Sequence, residues 1–534
     1  MSTSGPGRAS RRVPRSLVAA TIVVVLVVSI PLVYLVIRAS GAEGSSWDLI
    51  LRARTGWLAA RTIGLACAVT STAGTIGVAF AWLAVRSDLP MRRTWATLYA
   101  IPLVFPSYVG AFTLLAALGP KGILQGWLEP LGVERLPDIG GFWGAYLTLT
   151  LFTFPYVYLV AVAAIRGLDP SFEEAARTLG RSRWSVFRRV TLRLLRPSLI
   201  AGGMLVALYT LHDFGAVSLM RFPTFTQAIF LQYRAAFDRT PAAILSLLLA
   251  GLAVAIVAVE QATRGRAQYH RAGSGTPRAP RPVALGRWRW PALALSSLVI
   301  GLGVALPAGV LLHLLVRGLR EGIPLNLTLG AAGGSVIASA AGAIAALAAA
   351  APVALLAARY PGRGSHLAER LAYVGYALPG LVVALALVFV AANYAPGVYQ
   401  SLLLVIVAYT ILFLPQAAEP LKGGLLQSNR RVEEAARTLG SSPARVMRRV
   451  MAPILARPAA VAAALVFLTA MKELPATLLL RPTGFETLAT RLWTSASAGL
   501  YSRAAVPALL IVVLAAVPLA VLARRIGPSE IRGD

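Results

Sequence analysis

The chain has few charged residues and almost no cysteine. Only 13% of its 534 residues are Asp, Glu, Lys or Arg, whereas soluble domains carry roughly 25%. The single cysteine, Cys67, cannot form a disulfide framework or a cysteine-rich metal site. With 57% hydrophobic residues and a mean hydropathy of +0.70, the composition excludes an ordinary soluble domain and indicates an integral membrane protein.

Apolar runs of the ~20 residues needed to cross a bilayer recur along the whole chain. Twelve runs lie at 17–37, 58–85, 95–118, 142–165, 198–220, 242–262, 291–316, 329–358, 371–393, 399–419, 459–480 and 503–523. They predict an all-α integral membrane protein with about twelve transmembrane helices and leave no room for a soluble catalytic domain. Pro102, Pro106 and Pro379 predict kinks in the third and ninth helices.

Basic residues occur mainly in alternate loops. Segments predicted to lie inside the cell hold 36 Lys or Arg, including Arg8, Arg11, Arg12 and Arg15 before the first run, and outer segments hold 13. This bias predicts a multi-pass protein of the cell (inner) membrane with both termini in the cytoplasm. The net charge of +30 is thereby explained without nucleic acid. The first run is longer than a signal-peptide core of about 7–15 residues, which favours a retained signal-anchor.

The octapeptide EEAARTLG occurs at 173–180 and again at 433–440. The two halves match at an offset of 260 around these copies and at 273 earlier in each half. We therefore predict two parallel six-helix repeats, at 1–262 and 291–534, joined by a basic, Gly- and Pro-rich cytoplasmic linker at 263–290. The extra 13 residues of the first repeat fall in the outer loop 119–141, which is either an ordinary loop or a docking surface for an external partner.

Each copy lies in a polar loop, at 166–197 and 421–458, and reads as two short helices separated by a turn. Gly180 and Gly440 are placed to end the first helix in the left-handed conformation. The repeated residues of this element are Glu173, Glu174, Ala175, Ala176, Gly180, Arg188 and Arg189 in the first copy and Glu433, Glu434, Ala435, Ala436, Gly440, Arg448 and Arg449 in the second. The simpler alternative is a basic inner loop that binds anionic lipid.

These loops resemble the EAA loop of bacterial ABC importer permeases, in which EAA is followed by three residues, Gly, nine residues and I-x-L-P. Val190-x-Leu192-Arg193 and Val450-x-Ala452-Pro453 take the closing positions, so Arg193 and Ala452 depart from the pattern. The resemblance implies a type I importer fold in each half, contact with two copies of an ABC ATPase subunit, and a separate extracytoplasmic binding protein. The chain has no GxxxxGK[ST] loop, so we expect a non-catalytic subunit with no bound cofactor and ATP and Mg²⁺ on the ATPase.

Matched acidic residues lie in the last part of the predicted fifth helix of each half. Asp213 and Glu473 stand beside His212 and Lys472, with Tyr209 one turn earlier. Because carboxylates on spanning helices are costly, we expect them to line the pathway and favour cations; the alternative is a pair of structural ion contacts. The two segments that contain these acids, together with the fusion of two halves in one chain, look most like ferric-iron permeases. Fe(III) is a hard cation and prefers oxygen ligands. No stable metal site is predicted, and thiamine, polyamine or phosphonate permeases share the architecture.

Two other classes of membrane protein compete with this interpretation. A six-plus-six secondary transporter driven by an ion gradient also has parallel halves, but its glycine-containing loop after the second helix has no counterpart in the segment from Arg86 to Arg93. A sensor or scaffold that recruits a partner through basic loops gives no account of the matched Asp213 and Glu473.

Overall fold

The fold is helical, as the composition predicts. A computed structural model describes residues 13–41, 48, 52–168, 171–235, 240–264, 282–322 and 326–526. Within these ranges the only β pairing is an isolated bridge between Ser87 and Val283. Arg8, Arg11 and Arg12, on which part of the orientation prediction rests, lie outside the described residues.

Twelve long helices correspond to the twelve predicted runs, and we number them α1 to α12. They are α1 Arg15–Ser40, α2 Ala53–Arg86, α3 Ser107–Leu118, α4 Phe142–Gly167, α5 Trp184–His212, α6 Thr240–Arg264, α7 Gly286–Arg320, α8 Asn326–Arg359, α9 Gly380–Tyr394, α10 Leu402–Gln427, α11 Met447–Met471 and α12 Tyr501–Ile526. By length and apolarity ten described segments can cross a bilayer, or eleven if one bent pair is counted as a span.

Shorter helices fill the connections. They are Arg92–Leu98, Ile101–Val104, Ile123–Leu128, Glu129–Leu131, Ser171–Thr178, Gly215–Leu219, Phe225–Ala235, Arg363–Ala372, Val374–Ala377, Arg430–Thr438, Pro475–Leu480 and Leu488–Ser497. Three of them, from 123 to 131 and at Ser171–Thr178, show that the connections on either side of α4 contain helix.

The third and ninth predicted runs are broken rather than kinked. In the first half, α3 begins directly after Pro106, and the segment before it is the short helix Arg92–Leu98 followed by a 3₁₀ turn. The second half repeats this arrangement at Pro379, where the two parts meet at 100°. Proline lacks an N–H and forces the preceding residue into an extended conformation, so each helix starts anew there.

The fifth and eleventh helices end earlier than predicted. The predicted runs continue to 220 and 480, but α5 ends at His212 and α11 at Met471. Asp213 is the first residue after α5, and Glu473 follows Lys472 after α11. The two acids therefore stand at helix ends, where their side chains can bind backbone groups, and not within spanning helices.

The two halves exchange their first helices. Helix α1 packs against α6 of its own half and against α8 and α9 of the second half, while α7 packs against α12 and reaches α3 of the first half. The hydroxyls of Tyr99 and Ser296 form a buried hydrogen bond of 2.6 Å across this contact. The halves therefore form one helical body around a shared interior.

The linker predicted at 263–290 has structure at its carboxyl end. The N–H of Val283 donates to the Arg86 carbonyl at 2.7 Å, and the N–H of Leu285 donates to the Asp88 carboxylate at 2.9 Å. These bonds hold the start of α7 against the end of α2. The prediction of a flexible segment is therefore wrong for 282–290, and residues 265–281 lie outside the described part of the chain.

Candidate functional site

The two helices that carry EEAARTLG, Ser171–Thr178 and Arg430–Thr438, are named the EAA helices here. Each ends at a glycine with a left-handed backbone, with φ of 77° at Gly180 and 80° at Gly440. A side chain at either position would strain this conformation. The prediction that these glycines end the first helix of each loop is confirmed.

The segment after each EAA helix is the start of a spanning helix and not a separate short helix. The Ser182 hydroxyl accepts from the N–H of Ser185 at 3.3 Å, as the predicted cap requires. The helix then passes through a π-helical turn at Phe187–Thr191 and continues as α5. The second copy has the same turn at Met447–Met451. The exposed pairs of arginines on these turns are Arg188, Arg189, Arg448 and Arg449.

The first glutamate of each EAA helix faces the bundle. Glu173 lies 3.4 Å from the guanidinium of Arg86 and accepts from the Thr191 hydroxyl at 2.8 Å. In the second copy Glu433 lies 2.5 Å from Arg359. Both arginines are buried at the ends of α2 and α8. These ion pairs were not predicted from the sequence, although the 273-residue offset that matches Arg86 with Arg359 points to both arginines.

The opposite face of each EAA helix is open. Glu174 and the alanines Ala175 and Ala435 are exposed, Glu434 is half-buried and lies 3.6 Å from Arg430, and Ala176 and Ala436 are half-buried. The sequence alone did not single out Leu179 and Leu439, which follow the two EAA helices and are 82% and 86% exposed. The same loops also expose Phe172, Trp184, Val432 and Met447. Exposed apolar residues among charges are typical of a protein contact surface.

A cavity of 340 Å³ lies between the halves. Residues of the two halves line it at matched positions, among them Ser107 with Gly380, Tyr156 with Gln416 and Asp213 with Glu473. All five residues predicted for the pathway line this cavity, namely Tyr209, His212, Asp213, Lys472 and Glu473. The structure thus brings Tyr209 and Glu473, which are 264 positions apart in the sequence, to the same cavity.

Asp213 lies where two helices begin. Its carboxylate accepts from the Ser107 hydroxyl at the start of α3 and from the N–H groups of Ala216 at 2.9 Å and Val217 at 3.3 Å. The N-terminal end of a helix carries partial positive charge, which stabilises a carboxylate. Asp213 is therefore held by helix ends, and its neighbour His212 is not its partner.

Glu473 has the equivalent position in the second half. Its carboxylate accepts from the Ala476 N–H at 3.0 Å and so caps the helix Pro475–Leu480. Gly380 stands where Ser107 stands in the first half. A Cβ atom at Gly380 would lie 2.6 Å from the Glu473 carboxylate, so the glycine makes room for the longer acidic side chain.

The basic neighbours point to the opposite half. The Lys472 ammonium donates to the Leu103 carbonyl at 2.8 Å, and the ring of His212 faces the backbone of Ala377. Leu103 and Ala377 belong to the 3₁₀ turns that precede α3 and α9. Among the described residues neither Asp213 nor Glu473 forms an ion pair with His212 or Lys472. Both acids are held by hydrogen bonds at helix ends and not by the structural ion contacts that were the alternative.

The cavity offers scattered polar groups rather than a ligand cluster. No group of three or more His, Cys, Asp or Glu side chains that could hold a metal ion occurs in the described ranges. The ring of Tyr209 packs 5.7 Å from that of Tyr156 on the cavity wall. Two carboxylates, one ammonium and one imidazole therefore face a mainly apolar and aromatic space.

Comparison with known proteins places this geometry in a family. The family model of the binding-protein-dependent transport system inner membrane component matches residues 73–267 and again residues 350–529. The chain is 31% identical over 518 residues to the Fe(3+)-transport system permease protein FbpB 2 of Haemophilus influenzae, which covers 96% of this chain and 98% of that protein.

Shorter similarities connect the chain with other transport proteins. It is 36% identical over 146 residues to the molybdenum transport system permease protein ModB of Escherichia coli, covering 26% of this chain and 60% of that protein. It is 29% identical over 206 residues to the sulfate transport system permease protein CysT of the same species, covering 38% and 72%. The chain therefore belongs to the inner membrane components of binding-protein-dependent transport systems, as a fused ABC importer permease with two such domains and no catalytic role of its own.

Proposed function

We propose that the chain forms the translocation pathway for ferric iron, with both EAA helices on the cytoplasmic side. The observation that supports ferric iron as the cargo is the cavity between the halves, where Asp213 and Glu473 supply carboxylates at matched positions. Carboxylate oxygens suit a hard cation. The similarity to an Fe(3+) permease over 96% of the chain supports the same cargo.

The two EAA helices offer two similar surfaces, and each would contact one of two ATPase subunits. Exposed Leu179 and Leu439 provide the apolar contact. Glu174, Glu434 and the arginine pairs on the π-helical turns supply polar contacts at the edge. Glu173 and Glu433 have another role, because their ion pairs fix the EAA helices to α2 and α8.

Movement of an EAA helix would reach the cavity through α5. This helix runs from Trp184, beside the EAA helix, to His212, directly before Asp213. At 1.5 Å per residue its 29 residues span about 43 Å. Helix α11 connects the second EAA helix with Lys472 and Glu473 in the same manner. Closure of the ATPase pair would therefore shift both acids together and change the width of the cavity.

The cargo is tested by uptake into proteoliposomes that contain this chain with its ATPase and binding protein. We expect ATP-dependent accumulation of ⁵⁵Fe(III) and no accumulation without ATP. Replacing Asp213 and Glu473 by Asn and Gln keeps the helix caps, because amide oxygens also accept hydrogen bonds, and should slow iron uptake without loss of ATPase binding. Uptake driven by an ion gradient alone would exclude the importer mechanism.

An oxyanion is the second candidate cargo. Lys472 and His212 line the same cavity, and the relatives named above include permeases for molybdenum and sulfate. The same proteoliposomes, supplied with the corresponding binding proteins, distinguish the two cargoes. ATP-dependent uptake of sulfate or molybdate without uptake of iron would refute the ferric assignment and leave the coupling mechanism intact.

A further inference from the structure

A groove of 660 Å³ runs along α5 on the side away from the central cavity. Helix α2 contributes Thr70 and helix α6 contributes Ile256 and Val259. The residues of α5 that line it are Arg188, Leu192, Arg193, Arg196, Leu199, Ile200, Gly203, Met204 and Ala207. The groove is therefore apolar over most of its length and strongly basic at the end near the EAA helix.

The groove opens to the outside of the bundle. Leu205, Leu208 and Tyr209 of α5 line the central cavity, whereas Met204 and Ala207 line the groove. At 100° per residue the two sets are centred about 120° apart around the helix, so they lie on different faces that meet between Met204 and Leu208. Val259 on the far wall is 63% exposed, as expected for a side chain that faces lipid.

The three arginines have no partner within the described part of the chain. Arg188, Arg193 and Arg196 are exposed, and none forms an ion pair or hydrogen bond with a described residue. The Thr70 hydroxyl on the groove floor is buried and also lacks a described partner. Ala207 lies eleven positions after Arg196, so the apolar part extends about 16 Å below the arginines. This length is close to half of the ~30 Å hydrocarbon thickness of a bilayer.

The second half has fewer arginines along this part of the helix, with Arg448, Arg449 and Arg457 in α11 against four in α5. At the offset of 260 the positions of Arg193 and Arg196 are taken by Pro453 and Ala456, and Ala460 replaces Ile200. Arg448 alone matches Arg188. Arg193 is also the residue that departs from the closing proline of the EAA pattern. A general need for positive charge beside the membrane would act on both halves, so the cluster marks a feature of the first half.

We propose that this groove binds one anionic diacyl phospholipid of the cytoplasmic leaflet. Its phosphate contacts Arg193 and Arg196, and one acyl chain lies along α5 between α2 and α6. Basic pockets between helices at the cytoplasmic surface recognise anionic headgroups, and the apolar groove below gives a lipid an advantage over free phosphate. The proposal depends on the membrane location of α5 and is independent of the cargo.

The test is native mass spectrometry of the purified chain in micelles that contain equal amounts of phosphatidylglycerol and phosphatidylcholine. We expect one phosphatidylglycerol to be retained in preference to phosphatidylcholine. Each arginine near a membrane surface contributes about a fivefold factor in affinity, so R193Q/R196Q should weaken retention about 25-fold. R193K/R196K keeps the charges and should retain the lipid. The matched control is R457Q, on the equivalent turn of α11 but outside any corresponding cluster, and it should behave as the wild type.

Two results would overturn the proposal. One is a wild-type chain that retains both lipids equally, a measurement that needs no variant and so does not depend on the folding of R193Q/R196Q. The other is displacement of phosphatidylglycerol by millimolar glycerol 3-phosphate, which would show a site for a small organic phosphate and not for a lipid. Size-exclusion chromatography of each variant identifies loss of retention that results from unfolding.

Discussion

The pairing of Glu473 with Gly380 predicts a specific incompatibility. The first half uses the shorter acid, Asp213, opposite Ser107, and the second half uses the longer acid opposite glycine. Replacing Gly380 by Ser would place the first half's residue against the second half's acid. Because a Cβ at this position would lie 2.6 Å from the Glu473 carboxylate, one of the two groups must move.

The loss of stability caused by G380S has two sources. Overpacking of a close-packed interior typically costs about 1–3 kcal/mol. If Glu473 moves away, it also releases the Ala476 N–H, and loss of such a cap costs about 1 kcal/mol. G380S should therefore lower the apparent thermal unfolding midpoint and slow ATP-driven uptake. E473D alone opens a gap beside Gly380 and should be the milder change.

The double variant G380S/E473D recreates the first-half pair and should recover most of what G380S loses. The coupling between the two substitutions should then be about 1–3 kcal/mol in favour of the double variant, within the range for residues in contact. Apparent unfolding midpoints and uptake rates of wild type, both single variants and the double variant form the complete cycle. Additive effects, with the double variant at least as impaired as the two single variants combined, would refute this account of the pocket.

Two further predictions concern the EAA helices. E173Q removes the charge that faces buried Arg86. Breaking a fully buried ion pair costs about 3–5 kcal/mol, and because Glu173 is 25% exposed we expect a smaller cost, which should still lower the unfolding midpoint. E174Q, on the exposed face, should leave the midpoint unchanged and reduce ATP-driven uptake. Equal midpoints of the two variants, measured in parallel, would contradict the assignment of inner and outer faces. L179S should weaken ATPase binding about fivefold, the effect of losing a contact worth about 1 kcal/mol, without changing the fold. The control L131S alters an equally exposed leucine of the outer loop and should leave ATPase binding unchanged in a pull-down or surface plasmon resonance titration; an equal loss in both would contradict the contact.

Local sequence chemistry was sufficient where neighbouring residues determine the structure. Gly180 ends its EAA helix and Ser182 caps the next helix as predicted, since both depend on backbone groups within a few positions. Each of the twelve predicted runs also overlaps a long helix, because hydrophobic length identifies most spans, although the third and ninth runs are broken at prolines. The pathway residues were predicted from matched charges, and the structure places them around one cavity.

The features that were not predicted depend on contacts between distant segments. The early end of α5 at His212 cannot be read from an apolar run that continues to 220, because Ser107, 106 positions away, contributes to the site that Asp213 occupies. The ion pair of Glu173 likewise needs Arg86 at the end of another helix. The π-helical turn at Phe187–Thr191 has no local signature, since its residues fit an ordinary helix equally well.

The places where the halves differ indicate what each surface contacts. The EAA helices, together with the Leu-Gly that follows each, are identical over the eight residues EEAARTLG, as expected if each contacts a copy of the same subunit. Around the cavity the halves differ in compensating pairs, Ser107 with Asp213 and Gly380 with Glu473, because these side chains share one enclosed space and a change in one restricts the other. On the outer face of α5 the difference is uncompensated, since Arg193 has no balancing change in the second half. Such a difference between the halves, without a matching change in the second half, is possible on a surface that binds a lipid, because the lipid needs to bind only one half.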